Sequence, residues 1–349
     1  MFIHAHIGFF FLFSMVFAAT AAAQQSSPPT QPATDMIHLD VVVTPKSGRP
    51  VRGLEQQDFT VLDNKVPQTL TSFQALGGRQ AQIAVILLVD DVNTGVERIA
   101  YERSELDKFL RTDGGHLSYP ITLAFLTDSG INVQKDGSID GNALSASLDQ
   151  YTIGLHSIPR SGGIYSAFDR FQVSLEGLLQ LATREASRPG RKIILWISPG
   201  WPLLSGPGVE EQIDSKQQQQ IFENVVNLST LLRQGRITLY SIDPLGTDES
   251  LGRSLYWEDF VKAISKPSQA DFGDMALQVI ATQSGGLALN GGNDIVAFLQ
   301  KCLADTQAYY EISFVPSTVQ KRDEYHHLEV HVAKAGVIAR TRQGYYSQP

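Results

Sequence analysis

The chain has 349 residues, 42% of them hydrophobic, and a formal net charge of -8. That is enough apolar material for a sizeable core, most simply one large domain with a smaller companion. The acidic balance removes any electrostatic ground for a nucleic-acid partner or for binding an anionic membrane surface.

Ile7 to Ala19 is almost wholly apolar, and Ala21-Ala22-Ala23 stands just before Gln24. Residues 1–23 are therefore predicted to be a signal peptide, and the protein to be exported, periplasmic or secreted. An uncleaved anchor is the alternative, but the run is short against the ~20 residues of a membrane span. No later stretch is longer, so no stable span is expected in the mature chain. Residues 24–36, rich in Ser, Pro, Thr and Gln, read as a flexible leader.

Residues 37–75 carry strand signals: Leu39, Val41 and Val43 on one face, a turn at Lys46-Ser47-Gly48, then Phe59 and Val61 before Asp63-Asn64. So short a segment cannot easily make an independent sandwich. The chain's other end, residues 306–349, shows strand character again at Tyr309 to Val315, Leu328 to Val332 and Val337 to Thr341. Both ends are expected to build one small β-sandwich-like module.

Between them, residues 80–305 alternate strands and helices. Ile83 to Val89 is unbroken apolar, the habit of a central parallel strand, and leads into Asp90-Asp91-Val92-Asn93-Thr94. An amphipathic helix with Ile99, Leu106 and Phe109 follows. Ile121 to Leu126 is a second strand, ending at Thr127-Asp128-Ser129-Gly130; Phe168, Phe171, Leu175 and Leu178 stripe a helix. Lys192 to Ile197 is a third strand, ending at Ser198-Pro199-Gly200; Ile221 to Leu232 gives a helix, and Ile237 to Ile242 a strand ending at Asp243. Helices near Met275 and from Ile295 complete the series. The pattern predicts a doubly wound, mainly parallel α/β sheet flanked by helices. Cys302, the only cysteine, shares an apolar helix face with Ile295 and Leu299; it can form no internal disulfide and reads as a buried small hydrophobe.

The pieces VVVTPKSGRPVRGLEQQDFTVLDNKVPQTLTSF, LLVDDVNT, RKIILWISPG, ITLYSIDP, TQSGGLAL, YYEISFVPS and the closing RQGYY occur in that order over roughly residues 37–347. In this set the chain resembles the von Willebrand factor A-related proteins described from Acidobacteria. The resemblance implies a von Willebrand A-like, Rossmann-type fold. It also implies a metal-ion-dependent adhesion site: Asp-x-Ser-x-Ser after the first strand, a Thr from a second loop and an Asp from a third, gripping a partner's acidic group through a divalent cation. Here Asp90 matches the first aspartate and Thr94 the last hydroxyl, but Val92 takes the middle Ser position. Ser161 stands where the Thr belongs, and Ser198-Pro199-Gly200 where the Asp is expected. The metal residues are thus Asp90, Thr94 and Ser198 at most. The expectation is a degenerate site with no cofactor, or only weakly bound Mg²⁺.

An enzyme reading has one foothold. Ser198, Asp243 and His326 follow the Ser…Asp…His order of an α/β-hydrolase. Trp196 stands where the nucleophile elbow needs Gly, and Pro199 has no N–H for an oxyanion hole. No catalytic residue is therefore assigned. His327 and His331, on the face opposite Leu328 and Val330, read as solvated β surface. The expected function is non-enzymatic, adhesion-type binding of a protein or envelope partner at the rim beyond the strands' C-terminal ends. Asp91, Asn93, Thr127, Asp128, Ser161 and Trp201 are the expected contacts. A purely structural envelope component is the competing class.

Overall fold

A computed structural model describes residues 36–46, 48–78, 81–151, 157–159, 163–202, 213–244, 256–316 and 321–348. The chain opens with four strands, β1 (Ile37–Pro45), β2 (Phe59–Asp63), β3 (Val66–Pro67) and β4 (Leu70–Leu76). Next come β5 (Ile83–Asp90), α1 (Val96–Leu110), β6 (His116–Thr127), β7 (Gly130–Val133), β8 (Ser138–Asp140), α2 (Gly141–Gln150) and α3 (Gly163–Ala186). The alternation goes on through β9 (Arg191–Ile197), α4 (Ser215–Gln234), β10 (Ile237–Ile242), α5 (Leu277–Gln283), β11 (Ala288–Leu289) and α6 (Ile295–Ala304). It closes with β12 (Tyr309–Phe314), β13 (Tyr325–Val332), β14 (Val337–Arg340) and β15 (Gly344–Tyr346).

The apolar run Ile83 to Val89 has its explanation in the central sheet, ordered β11-β10-β9-β5-β6-β7 with β8 also on β6. The five strands from β11 to β6 are parallel, while β7 and β8 are antiparallel to β6. Ile86 and Leu88 face a layer holding α3, α4 and α5; Val85, Leu87 and Val89 face one holding α1, α2 and α6. A strand covered on both sides has no polar face to offer, hence the continuous hydrophobic stretch. Building outward from β5 to β7, the chain crosses back to place β9 on the other side of β5. The order reverses between β5 and β9, which is where an open α/β sheet leaves a crevice.

β7 and β8 depart from expectation. Thr127 to Gly130 reads as a loop after a parallel strand, but it is a hairpin turn, with Gly130 at φ +111°. The returning strands lie on the sheet edge and are only four and three residues long, so although Ile131 and Val133 of β7 pack against the core, they are too brief to register as strands.

The two antiparallel sheets, β14-β1-β12-β4 and β15-β13-β2-β3, each combine strands from both chain ends. Ile37 pairs with Phe314, Val43 with Ala339, and Val61 with Val330. Leu39, Val41, Val43, Phe59, Val61, Ile312, Phe314 and Leu328 share one core, so the two sheets fit a β-sandwich module. No helix among the described residues is long and apolar enough to cross a membrane.

Candidate functional site

β5 ends at the reversal point, and there Asp90 is fully buried. Its Oδ1 accepts the Asn93 backbone N–H (2.9 Å); its Oδ2 accepts Asn93 Nδ2 (2.9 Å) and the indole Nε1 of Trp196 on β9 (3.0 Å). The Ser198 hydroxyl hydrogen-bonds the same carboxylate. Burial raises the Asp90 pKa, and the bonds from Asn93, Ser198 and Trp196 pull against that rise. Asn93 Nδ2 also donates to Ser174 of α3 (2.9 Å), and Tyr151 donates to Asp91 (2.9 Å). Hydrogen bonds thus tie the turn after β5 to β9, α3 and the end of α2.

Helix α1 adds Glu102, fully buried, with both carboxylate oxygens lacking a partner at hydrogen-bonding geometry among the described residues. Burial lifts its pKa well above the ordinary value, the Asp90 and Asp91 charges lift it further, and the nearby Thr94 hydroxyl lowers it. Thr94 Oγ1 and Asn93 Oδ1 are likewise buried without a partner at that geometry. Sequence reasoning misses Glu102, because a charged helix residue normally faces solvent.

A divalent cation of the implied kind needs oxygens turned toward it. Asp90 does not fit. A carboxylate offers about four lone-pair positions, and Asn93 (twice), Trp196 and Ser198 take that many. Ser198 Oγ also accepts the Gly200 N–H (3.1 Å). Thr94 Oγ1, Asn93 Oδ1 and Glu102 keep oxygens to offer, three groups that fill only part of an octahedral shell and leave the rest to waters, so the set would retain Mg²⁺ only weakly.

Several expected contacts face inward. Asp91 and Asn93 are buried, and Trp201 is only 4% exposed. Gly200, at φ +93°, folds the chain back so that Trp201 packs edge-on against Trp196 and Phe171 instead of projecting. Thr127 and Asp128 remain part-exposed, yet Thr127 bonds within its own turn and Asp128 Oδ2 accepts the Ile158 N–H (2.8 Å). Ser161 lies outside the described residues. Ser198, Asp243 and His326 do not assemble as a triad: His326 Nδ1 bonds Asp63 Oδ1 (2.8 Å) in the β module, where its ring stacks on Tyr345. His327 and His331 are exposed beside Glu329.

Among the described residues, the start of α3 adds an exposed apolar patch to the rim. Ile164, Tyr165 and Phe168, in the first turns of α3, are 44%, 83% and 37% exposed. Phe168 is expected in the buried stripe with Phe171; its ring packs against Phe171 and Phe272, but its outer face stays open to solvent.

No protein-family model matches the chain, and no curated protein matches it. Among solved structures, proximal thread matrix protein 1 from the mussel byssus is 10% identical (TM-score 0.36), over 79% of this chain and 51% of that one. The PilB minor pilin from Streptococcus sanguinis is 11% identical (TM-score 0.37), over 65% of this chain and 62% of that one. A von Willebrand factor type A protein from Catenulispora acidiphila is 10% identical (TM-score 0.30), over 90% and 75% respectively. The chain thus spans about half of the mussel protein and under two thirds of the pilin. Likenesses this slight assign neither family nor function.

Proposed function

We propose that the chain is a non-enzymatic, adhesion-type protein-interaction domain of the von Willebrand A kind. It holds a protein or cell-envelope partner at the rim beyond the C-terminal ends of the parallel strands. The exposed start of α3 carries this reading. Ser174 is bonded to Asn93 at the rim, and Tyr165 comes nine residues earlier on the same helix. At about 1.5 Å per residue, Tyr165 stands roughly 13 Å beyond that level. A tyrosine flanked by two exposed apolar side chains on a rigid helix is suited to anchor a protein contact.

The saturated Asp90 supports a contact that does not run through a cation, with Mg²⁺ bound weakly or not at all. Export would place the partner in the envelope. The test is retention of envelope proteins by wild type and by an Ile164→Ser/Tyr165→Ala variant, each with and without chelator. Retention should be lost in the variant at unchanged melting temperature, and chelator should make no difference. Equal retention by the variant would sink the rim reading. Loss on chelation, matched by Asp90→Ala, would restore cation-dependent adhesion.

A further inference from the structure

The closing Arg-Gln-Gly-Tyr-Tyr segment ends the β module against α4 and α5, and its first residue is a buried cation. Arg342 is 8% exposed. Among the described residues, no carboxylate forms an ion pair with its guanidinium. Asp40 is the acid that acts on it, and Asp40 Oδ1 is already bound by Arg236 (2.6 Å). Arg233, also buried, lies near enough to repel it. Arginine is seldom buried without an anionic partner.

Arg342 lines two cavities. One, shared with His38, Asp40, Arg236 and Thr238, has about 10 Å³ of room, and the Asp40 carboxylate would repel an anion there. The other has about 30 Å³. It runs from Arg342 along Leu228, Leu232 and Met275 to the part-exposed Ser229 and Gln283. That is room for two or three water-sized groups. Of its polar lining, Gln283, Ser284, Tyr325 and Tyr346 already donate to backbone carbonyls, which leaves few donors for a tetrahedral oxyanion, and the aliphatic wall favours an alkyl group over hydration.

We propose that this second cavity binds a carboxylate no larger than acetate, with its oxygens on Arg342 and its methyl group against Leu228 and Leu232. Burial, with Arg233 adding to it, lowers the Arg342 pKa to about 10, in keeping with a cation that lacks its counter-charge. Asp274 lines the same cavity, and burial raises its carboxyl to about 7. The other titratable side chains facing it are Arg342, Tyr325 and Tyr346, the tyrosines pushed up by burial, so none of these changes charge between about pH 5 and 8. Affinity should therefore fall as pH rises through about 7 and Asp274 ionises.

The test is calorimetric titration of the full chain with sodium acetate at about pH 6 and pH 8, against sodium chloride and sodium phosphate at matched ionic strength. Acetate should bind saturably at one site, tighter at the lower pH. Arg342→Gln should weaken it about tenfold or more, the scale of a lost charge-assisted hydrogen bond. Ser229→Leu, which narrows the mouth without touching Arg342, should abolish it. Absence of saturable acetate binding, equal binding of chloride or phosphate, or undiminished binding by Arg342→Gln would overturn the proposal. If Arg342→Gln does not fold, undiminished binding by Ser229→Leu overturns it instead.

Discussion

Burial holds the Asp274 carboxyl at a pKa of about 7, although the Asp271 backbone N–H donates to its Oδ2 at 2.8 Å. Unfolded, the same group titrates near 3.8. Between those values the folded chain keeps a proton that the unfolded chain has released, so stability falls as pH rises and levels off above 7. Asp274→Asn keeps an oxygen for Asp271 and cannot ionise. The variant should match wild type below about pH 4 and exceed it at about pH 8 by up to roughly 4 kcal/mol. Urea unfolding at the two pH values checks this; an equal difference at both would contradict it. Asp274 gives no sign in the sequence, where it and Asp271 are two acids in a short turn-like stretch before an apolar run. Asp90 is legible as a site residue from its place after an apolar strand. What satisfies it is not, because Trp196 and Ser198 come from β9, more than a hundred residues on. Trp201 misleads for the opposite reason: a Pro-Gly turn reads as a surface feature, and here it turns the indole inward.

Close approach of whole elements decides which glycines tolerate a side chain. A Cβ on Gly286, between α5 and β11, would lie 1.7 Å from the Leu239 carbonyl oxygen of β10. That backbone is fixed by pairing with β9 and β11, so it cannot yield. On Gly177, in the middle of α3, a Cβ would lie 2.6 Å from Leu126 Cδ1, the far end of a side chain that can rotate. Overpacking of about 1–3 kcal/mol is there offset by up to ~1 kcal/mol of helix propensity. Gly177→Ala should therefore fold with a small loss in melting temperature, while Gly286→Ala should give little folded protein. Circular dichroism melts of the two purified variants would compare them, and a cooperative Gly286→Ala transition near wild type would refute the distinction. Elements with strong periodicity were the legible ones: β5, β9 and β10 sit where their apolar runs end, and α4 and α6 follow their stripes. Elements as short as β7 and β8 cannot carry such a pattern, and pairing with β6 makes them strands.

At the scale of the molecule, the β module joins what the sequence separates. β2 gains its long partner only from β13, and β1 is flanked by β12 and β14. Deleting residues 325–349 should strip β2 of that partner and open the core around Val61 and Phe59. Limited proteolysis should then cut within residues 37–76, which full-length protein should protect; continued protection would show that the two ends are independent.

The same pairing has a consequence for synthesis. Ile37 is made long before Phe314, with the whole α/β layer between them, yet they are neighbours on adjoining strands. While the chain is being made, β1 and β2 therefore wait with open edges through the whole of the α/β layer. The sandwich cannot close until Gly344–Tyr346 has emerged, so its contacts are non-local and slow to form. Any interruption before β12 and β13 are made leaves β1 and β2 exposed, in addition to the strands that are missing.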